Sequence, residues 1–234
     1  MASIAVELID HMGTDLSVVN AARVSFDKES DWEYGTYTTD PDEYGLTYSL
    51  PSPPKLSDRD AKLIYYLAKH NHKSPFNHCF ASFRVKAPIF CARQLVKHEY
   101  MPWNEISRRY VDSEPEFYTP DTWRKKADNV KQGSSDETVD TPLIMGIKDS
   151  HYVQAARHYQ TLIENGVCAE QARMVLPQST ITEWIWSGSL FAIAKMCKLR
   201  LDPHTQYETR LVAQPIAEKM AELYPVSWKA LMDV

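Results

Sequence analysis

Gln94, Lys97 and His98 stand at spacings i, i+3 and i+4. On a helix, that spacing puts an amide, a cation and an imidazole on one face. An amide reads a base edge and a cation holds a phosphate, so the set suits a nucleotide. After the break at Pro102, Ser107 and Arg109 add a hydroxyl and a forked guanidinium, with Trp103 and Tyr110 interleaved. Each residue alone reads as part of a solvated helix end and charged loop. The density of the whole run from Arg93 to Tyr110 favours a site.

Two other groups carry chemistry. His70, His72 and His78 could ligate a metal, but their spacing fits no zinc pattern and no Cys, Asp or Glu completes it. Hydrogen-bonded turn histidines are the expectation. Arg173 sits in a short helical segment among apolar residues, and Arg200 follows the apolar run Ile193 to Leu199. Each is either a partly buried ion-pair partner or a reader of anions and carbonyls. Cys79, Cys91, Cys168 and Cys197 are far apart in apolar surroundings. They read as buried free thiols of a reducing, cytoplasmic compartment.

The elements that position these groups follow from periodicity. Ile4–Ile9 reads as a strand, and Asp15 as the cap of a helix running to Arg23. A polar, aromatic-rich stretch over 27–54 reads as an insertion or surface arm. Ser57 and Asp60 form a capping box for a helix that stops near His70. Ala81, Phe83 and Val85 alternate with Phe80, Ser82 and Arg84 as a half-buried strand. Pro88 suits a first helical position, with helix continuing from Ile89 to His98. The stretch 121–141 reads as an insertion loop. A helix over Ile147–Asn165 ends at Gly166, and a short one over Ala169–Val175 stops before Pro177. Thr180, Thr182, Trp184 and Trp186 share one face of a strand. Leu190–Leu199 and His204–Leu223 read as helices. Few strands among many helices, without regular alternation, predict a single α+β domain.

Composition removes several alternatives. Seven glycines in 234 residues, none within three positions of another, leave no G-x-G-x-x-G turn and no phosphate-binding P-loop. Any nucleotide is held by side chains or helix ends. The net charge of −5 argues against general nucleic-acid binding. No apolar run is long enough for a membrane span. Met1 to Asp10 lacks the basic start of a signal peptide.

The run from Lys97 to Tyr110 resembles the signature of flavin-dependent thymidylate synthases. The family pattern is Arg-His-Arg, seven residues, then Ser, within an Asn-Glu-x-Ser-x-Arg-Tyr ending. Here it stands as Lys97-His98-Glu99, seven residues, then Ser107, with Asn104, Glu105, Arg109 and Tyr110 intact. Ala21–Phe26, His72–His78, Val85–Gln94, Ala172–Pro177 and Leu199–Gln206 also resemble family segments, in the family's order. The resemblance implies an antiparallel sheet flanked by helices and a homotetramer with active sites at subunit junctions. It implies flavin adenine dinucleotide (FAD) as cofactor, with deoxyuridine monophosphate (dUMP), methylenetetrahydrofolate and NADPH as substrates. The reaction implied is reductive methylation of dUMP to thymidylate. By position, Gln94, Lys97, Glu105, Ser107, Arg108, Arg109 and Arg173 would hold the nucleotide. Arg200 would promote ionisation of the uracil ring. His72, Ser74, Lys97, His98, Glu99 and Glu105 match flavin contacts, and Ser189 and Lys195 fall near further ones.

Three positions depart from the family. Lys97 replaces an arginine and lacks its fork. Glu99 reverses a charge beside a phosphate-bearing cofactor, and Asn77 stands where an acid is common. Pairing of Glu99 with Arg108 or Lys195 would compensate. Two alternatives follow: a pyrimidine nucleotide hydroxymethylase on the same fold, and a non-catalytic nucleotide or nucleic-acid binding protein using the basic aromatic patch. A cysteine nucleophile is not expected, because Cys91, the nearest thiol, faces apolar neighbours.

Overall fold

The structure is a computed structural model that describes residues 3–128, 133–139 and 141–234, without the side chains at 145 and 147–149. Met1 and Ala2, and residues 129–132 and 140 of the stretch read as a loop, lie outside the described residues. In chain order the elements are β1 (Ala5–Met12), α1 (Asp15–Arg23), β2 (Thr36–Thr38), β3 (Ser49–Pro51), α2 (Asp58–Lys69), β4 (Phe80–Pro88) and α3 (Ile89–Leu95). Then come β5 (Trp103–Glu105), β6 (Arg124–Lys126), β7 (Ser134–Thr138), α4 (Pro142–Glu164), α5 (Ala169–Ala172), β8 (Ile181–Ser189), α6 (Leu190–Arg200), α7 (Tyr207–Leu223) and α8 (Pro225–Met232).

The main sheet is antiparallel, in the order β1-β4-β8-β5. Alternation dictates its two faces. Ala81, Phe83, Val85 and Ala87 of β4 lie opposite Gly188, Trp186, Trp184 and Thr182 of β8. All eight are buried, and helices α3, α6 and α7 pack on the two strands. Each such large apolar side chain contributes about 1.5–3 kcal/mol by leaving water. Trp103 of β5 extends the layer, stacked on Trp184 at 4.3 Å. The opposite face is polar: Ser82 and Ser187 share a hydrogen bond of 2.8 Å, and Arg84 pairs with Glu183 at 3.3 Å. The α+β class and the antiparallel sheet with flanking helices are therefore as the sequence predicts.

Several boundaries differ. Thr14, not Asp15, is the N-cap of α1. Asp15 is buried and instead accepts from the backbone of Val226 at 2.9 Å and Ser227 at 2.8 Å, capping α8 from the other end of the chain. Helix α8 itself escapes the sequence reading, although Pro225 in its first turn is a start signal. Helix α3 ends at Leu95, not His98, and Pro88 is its N-cap rather than its first residue. The final helix pair begins at Tyr207 rather than His204. The stretch 121–141 is not a loop: its described part carries the β6–β7 hairpin. The arm over 27–54 carries the exposed β2–β3 hairpin. Its base is held where Asn20 and Ser30 exchange hydrogen bonds and Asp60 receives both Ser30 and Arg23. Gly13 turns β1 into α1 at φ +87°, where a Cβ would meet the Cys79 sulfur at 2.7 Å. No described helix is long and apolar enough to cross a membrane.

Candidate functional site

Arg200 is the last residue of α6, whose apolar faces are locked in the core by Ile193, Met196 and Cys197. That packing delivers the guanidinium to the end of α3. There its Nε donates to His98 Nε2 at 2.9 Å and its Nη2 to the Gln94 carbonyl at 2.8 Å. The chain leaves α3 in a tight turn, with His98 N–H on the Leu95 carbonyl and Tyr100 at φ +61°. Lys97 and His98 thus do not continue the helical face that Gln94 begins. His98 turns inward beside Trp186, and Lys97 stays exposed without a hydrogen bond or ion pair among the described residues. Burial, then the charges of Arg200 and Lys195, pushes the His98 pKa down to about 4. The imidazole is therefore neutral at physiological pH, and its Nε2 serves as acceptor.

Both acceptors of Arg200 are neutral, and no carboxylate among the described residues pairs with it. The ion-pair reading of Arg200 falls away. Its charge is left for a ligand. The cleft it faces has a volume of about 600 Å³ and is lined by Gln94, Arg124, His204, Gln206 and Glu208. The last four escape the sequence reading. A carboxylate in the first turn of α7 is a legible signal for Glu208. Its partner Arg124, 84 residues earlier, leaves none.

A second cleft of about 270 Å³ gathers Glu105, Arg108 and Arg173. Glu105 is fixed by Thr182 at 2.7 Å and by the Trp103 indole at 3.1 Å. Arg108 donates to the Ser113 carbonyl at 2.8 Å and lies over the Tyr159 ring. Ser107 Oγ accepts from both Nε and backbone N–H of Arg109 at 3.3 Å. Arg173 is exposed and bonded only to the Glu170 carbonyl among the described residues. It too is free of any carboxylate there. The residues expected to hold one nucleotide are thus divided between two clefts of a single chain.

A third region carries Lys195, one of the residues matched to flavin. Lys195, Lys198, Lys69 and Asn71 line a cleft of about 290 Å³ with Phe191 in its wall, and Lys73 lies over the same ring. Cations around an aromatic wall fit a planar group that carries phosphates. His72 and Ser74 are exposed nearby in sequence, with His72 stacked on Tyr66 at 6.1 Å. His70 packs on the same ring at 4.3 Å, so these histidines are aromatic neighbours. Ser189 is buried. Its hydroxyl donates to Asn77 at 2.7 Å and accepts from Ala192 N–H at 3.2 Å as the N-cap of α6, so its bonds are spent within the fold. Glu99 pairs with Lys195 at 3.9 Å, not with Arg108, and both partners are largely exposed.

Cys79, Cys91 and Cys197 are buried, and burial pushes the Cys79 and Cys91 thiols up to about 12 and raises Cys197 as well. They are protonated and inert as nucleophiles. Cys168, expected in the core, is exposed at the start of α5.

Residues 7–226 match the family described as thymidylate synthase complementing protein. A flavin-dependent thymidylate synthase of Thermus thermophilus is 39% identical over 97% of this chain and 75% of its own length. One from Thermosipho africanus is 34% identical over 96% of this chain and 89% of its own. Among solved structures, the UMP/dUMP methylase PolB of Streptomyces cacaoi bound with 5-Br UMP superposes with a TM-score of 0.79. It shares 29% identity and covers all of this chain and 95% of its own.

Proposed function

The chain belongs to the family of flavin-dependent thymidylate synthases, and on that premise we propose that it methylates dUMP to thymidylate. Methylenetetrahydrofolate is the carbon donor, FAD the cofactor and NADPH the reductant. The observation that carries this reading is the uncompensated Arg200 guanidinium, held at 2.9 Å on a neutral His98 and aimed into a cleft that Gln94 also lines. Carbon five of uracil is a poor nucleophile. A fixed cation at the carbonyl edge of the ring stabilises the charge that develops there, as an oxyanion site does. His98 accepts from Arg200 and so holds it in place without neutralising it. Glu105, Arg108, Arg109 and Arg173 bind the phosphate and sugar. Their division from Arg200 supports a site shared between copies, in a homotetramer. His72, Ser74 and Lys195 hold the flavin, which when bound supplies the hydride. The inert thiols agree with a route that needs no cysteine adduct.

The similarity to a methylase of both UMP and dUMP favours offering both nucleotides to the enzyme. Denatured protein should release a flavin. NADPH oxidation with methylenetetrahydrofolate present should depend on dUMP or UMP. Colourless protein that binds neither flavin nor nucleotide would contradict the reading.

A further inference from the structure

Glu208 lies in the first turn of α7 and is 5% exposed. Its carboxylate is the acceptor of an ion pair with Arg124, which donates through Nη2 at 2.6 Å and reaches it from the β6–β7 hairpin. Its second oxygen accepts from Gln206 Nε2 at 3.2 Å. A carboxylate in this state can only accept. Gln206 is therefore obliged to turn its amino group to Glu208 and its carbonyl away. That carbonyl meets Gln94 Nε2 at 2.5 Å, so Gln94 in turn must donate. The far end is closed by the buried Thr209, whose hydroxyl donates to Gln94 Oε1 at 3.3 Å. Two amides in series, either of which could face both ways in isolation, are ordered by one charge.

We propose that Glu208 is a positioning residue: through Gln206 it fixes the direction of the Gln94 amide and makes Gln94 a hydrogen-bond donor toward the nucleotide. Gln94 Nε2 carries two hydrogens, and Gln206 uses one. Gln94 lines the Arg200 cleft, and on this proposal the other hydrogen belongs to that wall. Arg200 is also only a donor, so at Gln94 and Arg200 this wall offers hydrogens, while the acceptors of Glu208 and Gln206 are engaged by Arg124, Gln206 and Gln94. It accepts the carbonyl edge of a uracil and rejects the amino group that cytosine carries in its place, because two donors facing each other leave both unpaired. The inference rests on the nucleotide reading of this cleft and adds the group that sets its choice of base.

Two measurements test it. The side-chain amide resonances of Gln94 and Gln206, assigned with Gln94→Leu and Gln206→Leu, are recorded without nucleotide. The relay predicts one set in the wild type, and two sets or exchange broadening in the isosteric Glu208→Gln. A single, unshifted set in Glu208→Gln overturns it. The second measurement is the ratio of dissociation constants for dCMP and dUMP. That ratio should fall about tenfold in Glu208→Gln, the equivalent of one hydrogen bond. It should fall similarly in Gln206→Leu, which cuts the link and serves if Glu208→Gln does not fold. Asp15→Ala, which removes the cap of α8 and lies outside this lining, should lower the melting temperature and keep the ratio. An equal loss of ratio in Asp15→Ala, or an unchanged ratio in Glu208→Gln, overturns the positioning role. A wild type that binds no dUMP, while the amide resonances still split in Glu208→Gln, supports the relay and overturns the nucleotide reading instead.

Discussion

Nε of Arg200 donates to Nε2 of His98 at 2.9 Å, across 102 residues of chain. The bond fixes two properties at once. His98 must carry its own hydrogen on Nδ1, and Arg200 must keep its charge, since an imidazole accepts without neutralising.

His98 should therefore titrate far below an ordinary imidazole. Its pKa in the fold is about 4 against an ordinary 6.5, with burial the leading cause. Because the folded value is the lower, the unfolded chain binds more protons between these two values. Stability from this group is complete above about 6.5 and is lost as pH falls toward 4. Histidine ring resonances followed against pH would show it. A His98 midpoint near 6.5 would mean that the imidazole is not buried beside Arg200.

Arg200→Ala should lose turnover by about 100-fold or more, the usual effect of removing one donor to developing charge. Flavin should stay bound, since the lysine cleft along α2 and α6 is separate. Steady-state rates and the flavin spectrum of the purified variant report both. Loss of flavin with a fully active remainder would make Arg200 a cofactor or structural residue.

Asp15→Ala should destabilise the fold by about 1–3 kcal/mol, since it removes two hydrogen bonds to a carboxylate at the start of α8. Thermal unfolding would show this as a lower melting temperature with activity per folded molecule retained. An unchanged melting temperature would mean that α8 docks without its cap.

Glu99→Arg should leave flavin affinity level or lower. The pair with Lys195 is long and solvated, worth at most about 1 kcal/mol, and the new arginine would face that lysine. Flavin titration of both proteins decides. A clear tenfold gain would show that Glu99 opposes the cofactor and that Lys195 does not compensate for it.

How much of this was legible depends on where the deciding interaction lay. Strands β4 and β8 were readable because one face is buried and the other is not, which writes a period of two into Ala81, Phe83, Val85 and Thr182, Trp184, Trp186. The β6–β7 hairpin was not, because it is exposed on both faces and leaves no alternation. The end of α3 was misplaced for a tertiary reason: Val96, Lys97 and His98 include no helix breaker, but His98 is held outside the helix by its bond to Arg200. Arg200 and Gln94 were found by residue type and family resemblance. Arg124 and Glu208 were missed because an ion pair spanning 84 residues has no local pattern. The separation of Gln94 and Arg200 from Arg108 and Arg173 is likewise a property of the folded chain alone.

The most direct measurement is the identity of the product. Enzyme reconstituted with flavin is incubated with dUMP, isotopically labelled methylenetetrahydrofolate and NADPH, and the nucleotides are resolved by mass spectrometry. The account predicts labelled thymidylate, formed together with NADPH oxidation and abolished in Arg200→Ala. A hydroxymethyl nucleotide formed without net NADPH oxidation, or unaltered dUMP with flavin bound, would contradict it.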